Sequence, residues 1–145
     1  MIEQPKDGPL VVLVGVDGSE TSMRAGAYAA GLARRQGARL VILYVRTYMV
    51  VTSVTAATVP AMQEAHDQIE RELRETIETQ APRIGLTAEL VVREGNPYAE
   101  LVRLADEIHA DAVVVGASTK AGHRFVGSLA VHLVRASRWP VTVVP

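Results

Sequence analysis

Short apolar runs alternate with longer amphipathic segments along the chain. The apolar runs are LVVLVGV (10–16), RLVILYV (39–45), AELVVR (88–93), AVVVG (112–116) and VTVV (141–144). Runs that are apolar nearly throughout are typical of strands buried on both faces, as in a parallel sheet. We therefore predict five strands.

The segments between these runs have helical spacing. We predict helices at about 21–36 and 61–81, a third opening at Asn96-Pro97, and a fourth beginning near Ser128. Gly37 is a candidate C-cap for the first, and Asn followed by Pro is a common helix start. The apolar stripe of the second helix is Met62, Ala65, Ile69, Leu73 and Ile77.

Charged residues of the second helix lie four positions apart. Glu70 with Arg74, and Arg71 with Glu75, are spaced as ion pairs on one helix surface. We interpret them as a solvated face and not as a functional site.

Strands alternating with helices indicate an α/β doubly wound fold. With right-handed crossovers it becomes a three-layer α/β/α sandwich around a five-stranded, mostly parallel, Rossmann-like sheet. The last strand lies between Pro140 and Pro145, which suits an edge position because proline cannot donate to a ladder. An exposed edge invites pairing with a second copy. The residues expected there are Val141, Thr142, Val143 and Val144.

The composition narrows the class of protein. Apolar residues make up 48% of the 145 residues and there is no cysteine, which excludes intrinsic disorder, disulfides and thiol chemistry. The start of the chain does not resemble a signal peptide, and no apolar run is long enough to cross a bilayer. We expect a cytoplasmic protein with an N-terminal tail (1–8) and a single domain (9–145).

The charges are distributed unevenly. All 16 acidic residues lie at or before Asp111, whereas four of the 15 basic residues follow it: Lys120, Arg124, Arg135 and Arg138. A local positive field favours an anionic small ligand. Because only four charged residues are involved, their uneven distribution is explained equally well by chance.

The segment 47–62, TYMVVTSVTAATVPAM, has no clear period. It is long for a connection between elements. A lid, a partner surface and a mobile loop are all compatible with it.

Two loops carry the candidate chemistry, because ligands of open parallel sheets bind beyond the carboxyl ends of the strands. The first loop, VDGSETS, places Asp17 where it can accept hydrogen bonds from a ribose or an adenine amino group. The alternative is structural: Asp17 and Ser19 satisfy free N–H groups at the start of the helix.

The second loop is GASTKAGHRFVGS, residues 116–128. Gly116 lets the chain leave the sheet, and Gly127-Ser128 opens a helix whose first N–H groups can hold an anion. Lys120, His123 and Arg124 could neutralise phosphate charge. The alternative is an ordinary strand-to-helix loop with Ser128 as N-cap.

Other functional classes lack their motifs. There is no G-x-x-x-x-G-K-[ST], no G-x-G-x-x-G after the first strand and no G-x-S-x-G. The four histidines are scattered and do not have metal-ligand spacing. No nucleophile, base and orienting group can be assembled, so we do not expect an enzyme beyond a slow ATPase.

The same stretches resemble the universal stress protein family from about residue 9 to 145. The quoted similarities are VVLVGVDGSETS, ARLVILYV, VREGNPYAELVRLADEIHADAVVVGAS and VGSLAVHLVRASRWPVTVVP. The resemblance implies an adenine-nucleotide-hydrolase-like α/β fold, dimerisation through the last strands, and, in many members, ATP binding.

The resemblance also implies a nucleotide site. Binders carry a loop with Gly, two residues, Gly, nine residues, Gly and Ser or Thr; this sequence has Thr119 in place of the second Gly and is two residues shorter. The expected ligand is ATP or another adenine nucleotide, which Mg²⁺ can accompany. The implied contacts are Gly15, Val16, Asp17, Val45, Gly116, Thr119, Gly127, Ser128 and Leu129. The alternative is a homodimeric signalling protein that binds no nucleotide and has a degenerate loop.

Overall fold

The computed structural model describes residues 9–47, 58–120 and 123–145. The strands are β1 (Val11–Val16), β2 (Arg39–Arg46), β3 (Ala88–Glu94), β4 (Ala112–Gly116), β5 (Ser118–Lys120), β6 (His123–Phe125) and β7 (Val141–Val144). The helices are α1 (Glu20–Gln36), α2 (Thr58–Gln80), α3 (Pro97–Glu107) and α4 (Ser128–Ala136), with a short 3₁₀ turn at Pro82–Ile84.

Five strands form one sheet in the order β3-β2-β1-β4-β7. Every neighbouring pair in this sheet is parallel. The chain moves outward from β1 to β2 and β3, then returns to place β4 on the other side of β1. The direction of winding therefore reverses between β1 and β4, which is the switch point where such folds bind ligands. The predicted fold class and all five strands are confirmed.

The sheet is covered on both faces because successive side chains of a strand point in opposite directions. On β1, Val12 and Val14 belong to the apolar cluster that contains residues of α1 and α2. Leu13 between them belongs to the cluster that contains residues of α3 and α4. This alternation explains the continuous apolar runs and makes a three-layer sandwich.

The helix ends follow the sequence signals. The Ser19 side chain caps α1, the Asn96 side chain caps α3, and Pro97 is the first residue of α3. Gly37 ends α1 with a positive φ of 65°, a backbone conformation that glycine adopts without steric cost.

Helix α2 differs from its prediction in three details. It includes Thr58, three residues before the expected start, and its Ala65 is exposed while Leu73 is buried. Arg74 pairs with Glu70 as expected (2.8 Å), but Arg71 pairs with Glu64 (3.3 Å) instead of Glu75. Residues seven apart also share a helix face, so Arg71 can reach back two turns.

The charged face of α2 is anchored to the sheet and is not simply solvated. Arg46 at the end of β2 forms an ion pair with Glu70 (2.9 Å) and another with Asp67. The hydrogen bond from Arg74, followed by that from Arg46, holds the pKa of the Glu70 carboxyl below its ordinary value despite some burial.

The loop after β4 contains structure that the sequence did not indicate. β5 and β6 pair in antiparallel fashion, with Ser118 opposite Phe125 and Lys120 opposite His123. Most of the segment 47–62 (48–57) and the tail 1–8 lie outside the described residues, so the interpretations of both stay predictions. Within the described ranges, no helix is long and apolar enough to span a membrane.

Candidate functional site

A cavity of about 440 Å³ opens at the carboxyl ends of β1 and β4. This volume falls within the range of small-molecule sites, roughly 300–1,000 Å³. All of the residues predicted for the site line it: Gly15, Val16, Asp17, Val45, Gly116, Thr119, Gly127, Ser128 and Leu129. The sheet brings them together because the predicted loops follow the two strands on either side of the switch point.

Asp17 lies at the β1 side of the cavity and its side chain is exposed. Its Oδ1 accepts the Ser19 N–H (2.9 Å), while Ser22 Oγ accepts the Asp17 N–H (3.1 Å). The partial loss of water around the carboxylate would raise its pKa, but hydrogen bonds from Ser19 and Ser22 outweigh this and lower the pKa of Asp17. The structural interpretation of Asp17 and Ser19 is therefore confirmed, and Asp17 also lines the cavity.

Gly116 lies where β4 passes the first turn of α1. A Cβ atom at Gly116 would lie 2.6 Å from the Thr21 carbonyl carbon and 2.7 Å from the Ser22 nitrogen. The buried Thr21 hydroxyl donates to the Ala117 carbonyl oxygen (2.6 Å). The glycine is thus required by helix–strand packing, a different reason from the exit from the sheet that the sequence suggested.

The N-terminus of α4 borders the cavity. Gly127 is the N-cap and makes no side-chain capping bond, whereas α1 and α3 are both capped by side chains. Ser128 is the first residue of the helix, so the interpretation of Ser128 as N-cap is wrong. The first N–H groups of a helix have no acceptor within it and carry a partial positive charge.

Ser118 fills the space that an N-cap side chain would occupy. Its Oγ lies 1.9 Å from the ideal position of a Cβ on Gly127. A larger residue at Gly127 would therefore meet Ser118 before it met any ligand. Sequence reasoning missed this contact because it joins two ends of a loop whose hairpin was not predicted.

Apolar side chains form the remaining wall. Val45 and Leu129 are partly buried in the cluster beneath α3 and α4, and Leu43 and Leu101 are fully buried there. Leu101 also limits the floor, since a Cβ on Gly15 would lie 3.1 Å from Leu101 Cδ1. Leu43, Leu101 and Pro97 carried no functional signal in the sequence beyond their strand and helix positions.

The described lining of the cavity contains no lysine or arginine, and Asp17 is its one charged residue. The other polar groups of the described lining are neutral hydroxyl groups and backbone amides and carbonyls. The side chains of Lys120, His123 and Arg124 are outside the description, so their predicted role in balancing phosphate charge stays a prediction. The described residues include no group of three or more His, Asp or Glu side chains that could hold a metal ion.

The topology and the position of this cavity define a doubly wound α/β domain of the kind that holds ligands at its switch point. Residues 11–145 match the model of the universal stress protein family, and the chain belongs to that family. It is 31% identical to universal stress protein YxiE of Bacillus subtilis over 92% of this chain and 97% of that protein.

Solved structures agree with this assignment. A universal stress protein family member from Burkholderia pseudomallei is 27% identical, with a TM-score of 0.73 over 94% of this chain and 96% of that one. A universal stress protein in complex with cAMP is 32% identical, with a TM-score of 0.69 over 96% and 99% of the two chains.

Proposed function

We propose that this protein is a stress-response module that binds an adenine nucleotide in the switch-point cavity. The observation that carries the proposal is the convergence of an exposed carboxylate, Asp17, and an uncapped helix N-terminus, that of α4, on one cavity of about 440 Å³. A nucleoside phosphate needs an acceptor for its sugar or base at one end and donors for its phosphate at the other.

Each part of the cavity has a role in this proposal. Asp17 accepts hydrogen bonds from the ribose or the adenine amino group, and Val45 supplies apolar surface for the base. The N–H groups of Ser128 and Leu129, with the Ser128 hydroxyl, donate to a phosphate at the start of α4. Thr119 adds a hydroxyl from the exposed side of the loop.

The relative in complex with cAMP supports this ligand class. It is 32% identical to this chain over nearly the full length of both. In our proposal the cavity described above is the corresponding site in this chain.

We propose that the protein acts in the cytoplasm. Its proposed role there is to bind a nucleotide and not to catalyse a reaction. The carboxylate at the β1 side has a lowered pKa, which disfavours it as a general base at neutral pH. Because no cluster of metal ligands occurs among the described residues, Mg²⁺ would enter on the phosphates of a nucleotide and keep most of its water.

We also propose a homodimer formed by pairing of β7 strands. The edge strand β7 carries no charge, whereas the opposite edge, β3, carries Glu89, Arg93 and Glu94. Charged side chains protect an edge from pairing, so β7 is the edge open to a second copy. A homodimer that binds no nucleotide is the alternative function.

Calorimetric titration of nucleotide-free protein with AMP and ATP tests the ligand. Ser128→Pro is the informative variant, because proline is tolerated at the first helical position but lacks the N–H. Gly127 already has the extended backbone (φ −77°, ψ 172°) that a residue before proline prefers. Loss of one hydrogen bond to a charged group should weaken binding about 10- to 100-fold.

Ser128→Ala is the matched control, since it removes the hydroxyl and keeps the N–H. We expect a smaller loss of affinity in this variant and unchanged thermal stability in both. Absence of heat with wild-type protein at millimolar nucleotide would contradict the proposal and favour the alternative. Equal affinities of wild type and Ser128→Pro would move the phosphate away from α4.

A further inference from the structure

A second cavity, of about 250 Å³, lies between α1 and α2 on the sheet. Side chains of β1, β2 and β3 form its floor, and the two helices with the 3₁₀ turn at Pro82–Ile84 form its walls. All of its lining residues fall within 16–42 and 73–88, which the structure describes throughout. The cavity is separate from the switch-point cavity and shares only Val16 with it.

Small side chains on one helix and loose packing of the other leave this space open. The wall that α1 contributes includes Gly26 and Ala30. A Cβ on Gly26 would meet only Val16 Cγ1 within 4 Å, at 3.8 Å, so room remains beyond it. Across the cavity, Leu73 is the one buried residue of α2, all of which is described, and Ile77 is partly buried. Protein cores leave few voids larger than a water molecule, so this cavity is a place that a ligand can fill.

The lining of this second cavity is almost entirely apolar. None of the residues from 16–42 and 73–88 that form it is charged, and only Thr76 and Gln80 are polar. Both are exposed, and the Thr76 hydroxyl donates to the Glu72 carbonyl oxygen (2.8 Å). A buried water needs about two to four polar partners. The interior of the cavity therefore suits apolar groups better than water, and its polar groups lie at the rim.

The dimensions of the second cavity determine what kind of molecule it can hold. Its lining runs from Met23 to Ala30 along α1 and from Leu73 to Ala81 along α2, a length of about 10 Å at the rise of an α-helix. A helix with its side chains is itself about 10 Å wide, so a helical segment of a partner protein is too large for it. An apolar cavity of roughly 150 Å³ already accepts a molecule as large as benzene.

From this volume, length and lining, we infer that the second cavity binds the aliphatic chain of a small molecule, such as a fatty alcohol or a fatty acid. The chain lies between α1 and α2 on the apolar floor of the sheet. The exposed amide of Gln80 is at the rim, where it can donate to or accept from the polar end of the ligand. This site does not depend on the proposed nucleotide function.

Calorimetric titration of the full chain with primary alcohols, from butanol to decanol, tests the site. Affinity should rise about four-fold for each added CH₂ group and stop rising once the chain exceeds the cavity length of about 10 Å. Absence of saturable binding for every alcohol would overturn the inference. A rise that continues without limit through decanol would indicate nonspecific adsorption, and displacement of the alcohol by AMP would place it in the switch-point cavity; either result would also overturn the inference.

Gly26→Leu fills the second cavity with a side chain and should weaken octanol binding at least about 10-fold. Gly31→Leu is the matched control on the same helix, because Gly31 does not line the cavity and the three nearest atoms to its Cβ belong to the flexible Arg35 side chain. It should bind octanol like wild type.

Circular dichroism checks that the variants fold, and Ala30→Leu is a second variant that fills the cavity if Gly26→Leu unfolds. Equal octanol affinities of wild type and a folded filling variant would overturn the inference. A fall in the light-scattering mass on binding of octanol would show that a second copy of the chain occupies the cavity, and would overturn the assignment to a small molecule.

Discussion

Replacing Gly116 by alanine tests whether β4 and α1 are packed as closely as the structure indicates. The added Cβ would lie 2.6 to 2.8 Å from three backbone atoms of Thr21 and Ser22, where ordinary contacts begin at 3.4 Å. Backbone atoms cannot turn aside as the end of a side chain can. The first turn of α1 must therefore move away from the sheet.

Gly116→Ala has both destabilising and stabilising effects on the free energy of unfolding. Overpacking of a buried site costs about 1–3 kcal/mol. Movement of α1 also strains the 2.6 Å hydrogen bond from Thr21 to Ala117, whose net contribution is about 0.5–1.5 kcal/mol. Alanine regains only about 0.4–1 kcal/mol by restricting the unfolded chain. The net result should be a loss of about 1–3 kcal/mol in the free energy of unfolding.

Urea unfolding followed by circular dichroism measures this loss. In a thermal melt, each kcal/mol should lower Tm by roughly 3 °C. Gly26→Ala is the matched control, because its Cβ would meet only Val16 Cγ1, at 3.8 Å. Glycine within a helix is about 0.5–1 kcal/mol less stable than alanine, so the control should be stabilised. A Gly116→Ala variant as stable as wild type would refute the close packing of β4 on α1.

Three further predictions concern neighbouring features. Thr21→Val should lose about 1–3 kcal/mol of stability in urea unfolding, since it leaves a buried carbonyl without its donor, while Thr21→Ser should lose less; equal losses would show that the hydroxyl is not responsible. The lowered pKa of Asp17 means that its carboxylate stabilises the fold above its ordinary pKa of 3.8, and that this stabilisation is lost as the pH falls through the folded value. The difference in unfolding free energy between wild type and Asp17→Asn should therefore be constant near neutral pH and shrink below pH 3.8. A difference that grows in acid would show that folding raises the pKa of Asp17. Thr142→Lys places a charge on the β7 edge and should shift light scattering towards monomer, whereas Thr142→Ser should not; a dimer that survives the lysine would exclude pairing through this edge.

Much of the fold could be predicted from local pattern. A strand buried on both faces is apolar at nearly every position, so the five principal strands were located within one or two residues of their observed bounds. Caps such as Asn96 and Gly37 act on their immediate neighbours, and local sequence is enough to identify them. The residues of the site could be gathered because parallel strands on both sides of a switch point end at the same edge.

The remainder depends on contacts between distant residues. The need for glycine at position 116 comes from the backbone of α1, and the Thr21–Ala117 bond joins residues 96 positions apart. The hairpin is short and polar, with no alternating pattern to identify it. The predicted partner of Arg71 was wrong because two acidic residues, Glu64 and Glu75, lie on the same helix face as Arg71. Spacing alone could not show which of them lies closer.

Mapping of backbone amides by NMR during titration with AMP tests whether the switch-point cavity is the nucleotide site. We expect the largest chemical-shift changes at the amides of Ser128, Leu129 and Ala130, with a second group at Gly15 and Asp17, because these residues line one cavity. Changes concentrated elsewhere, such as around Trp139 beyond the opposite end of α4, or no changes at saturating AMP, would contradict it.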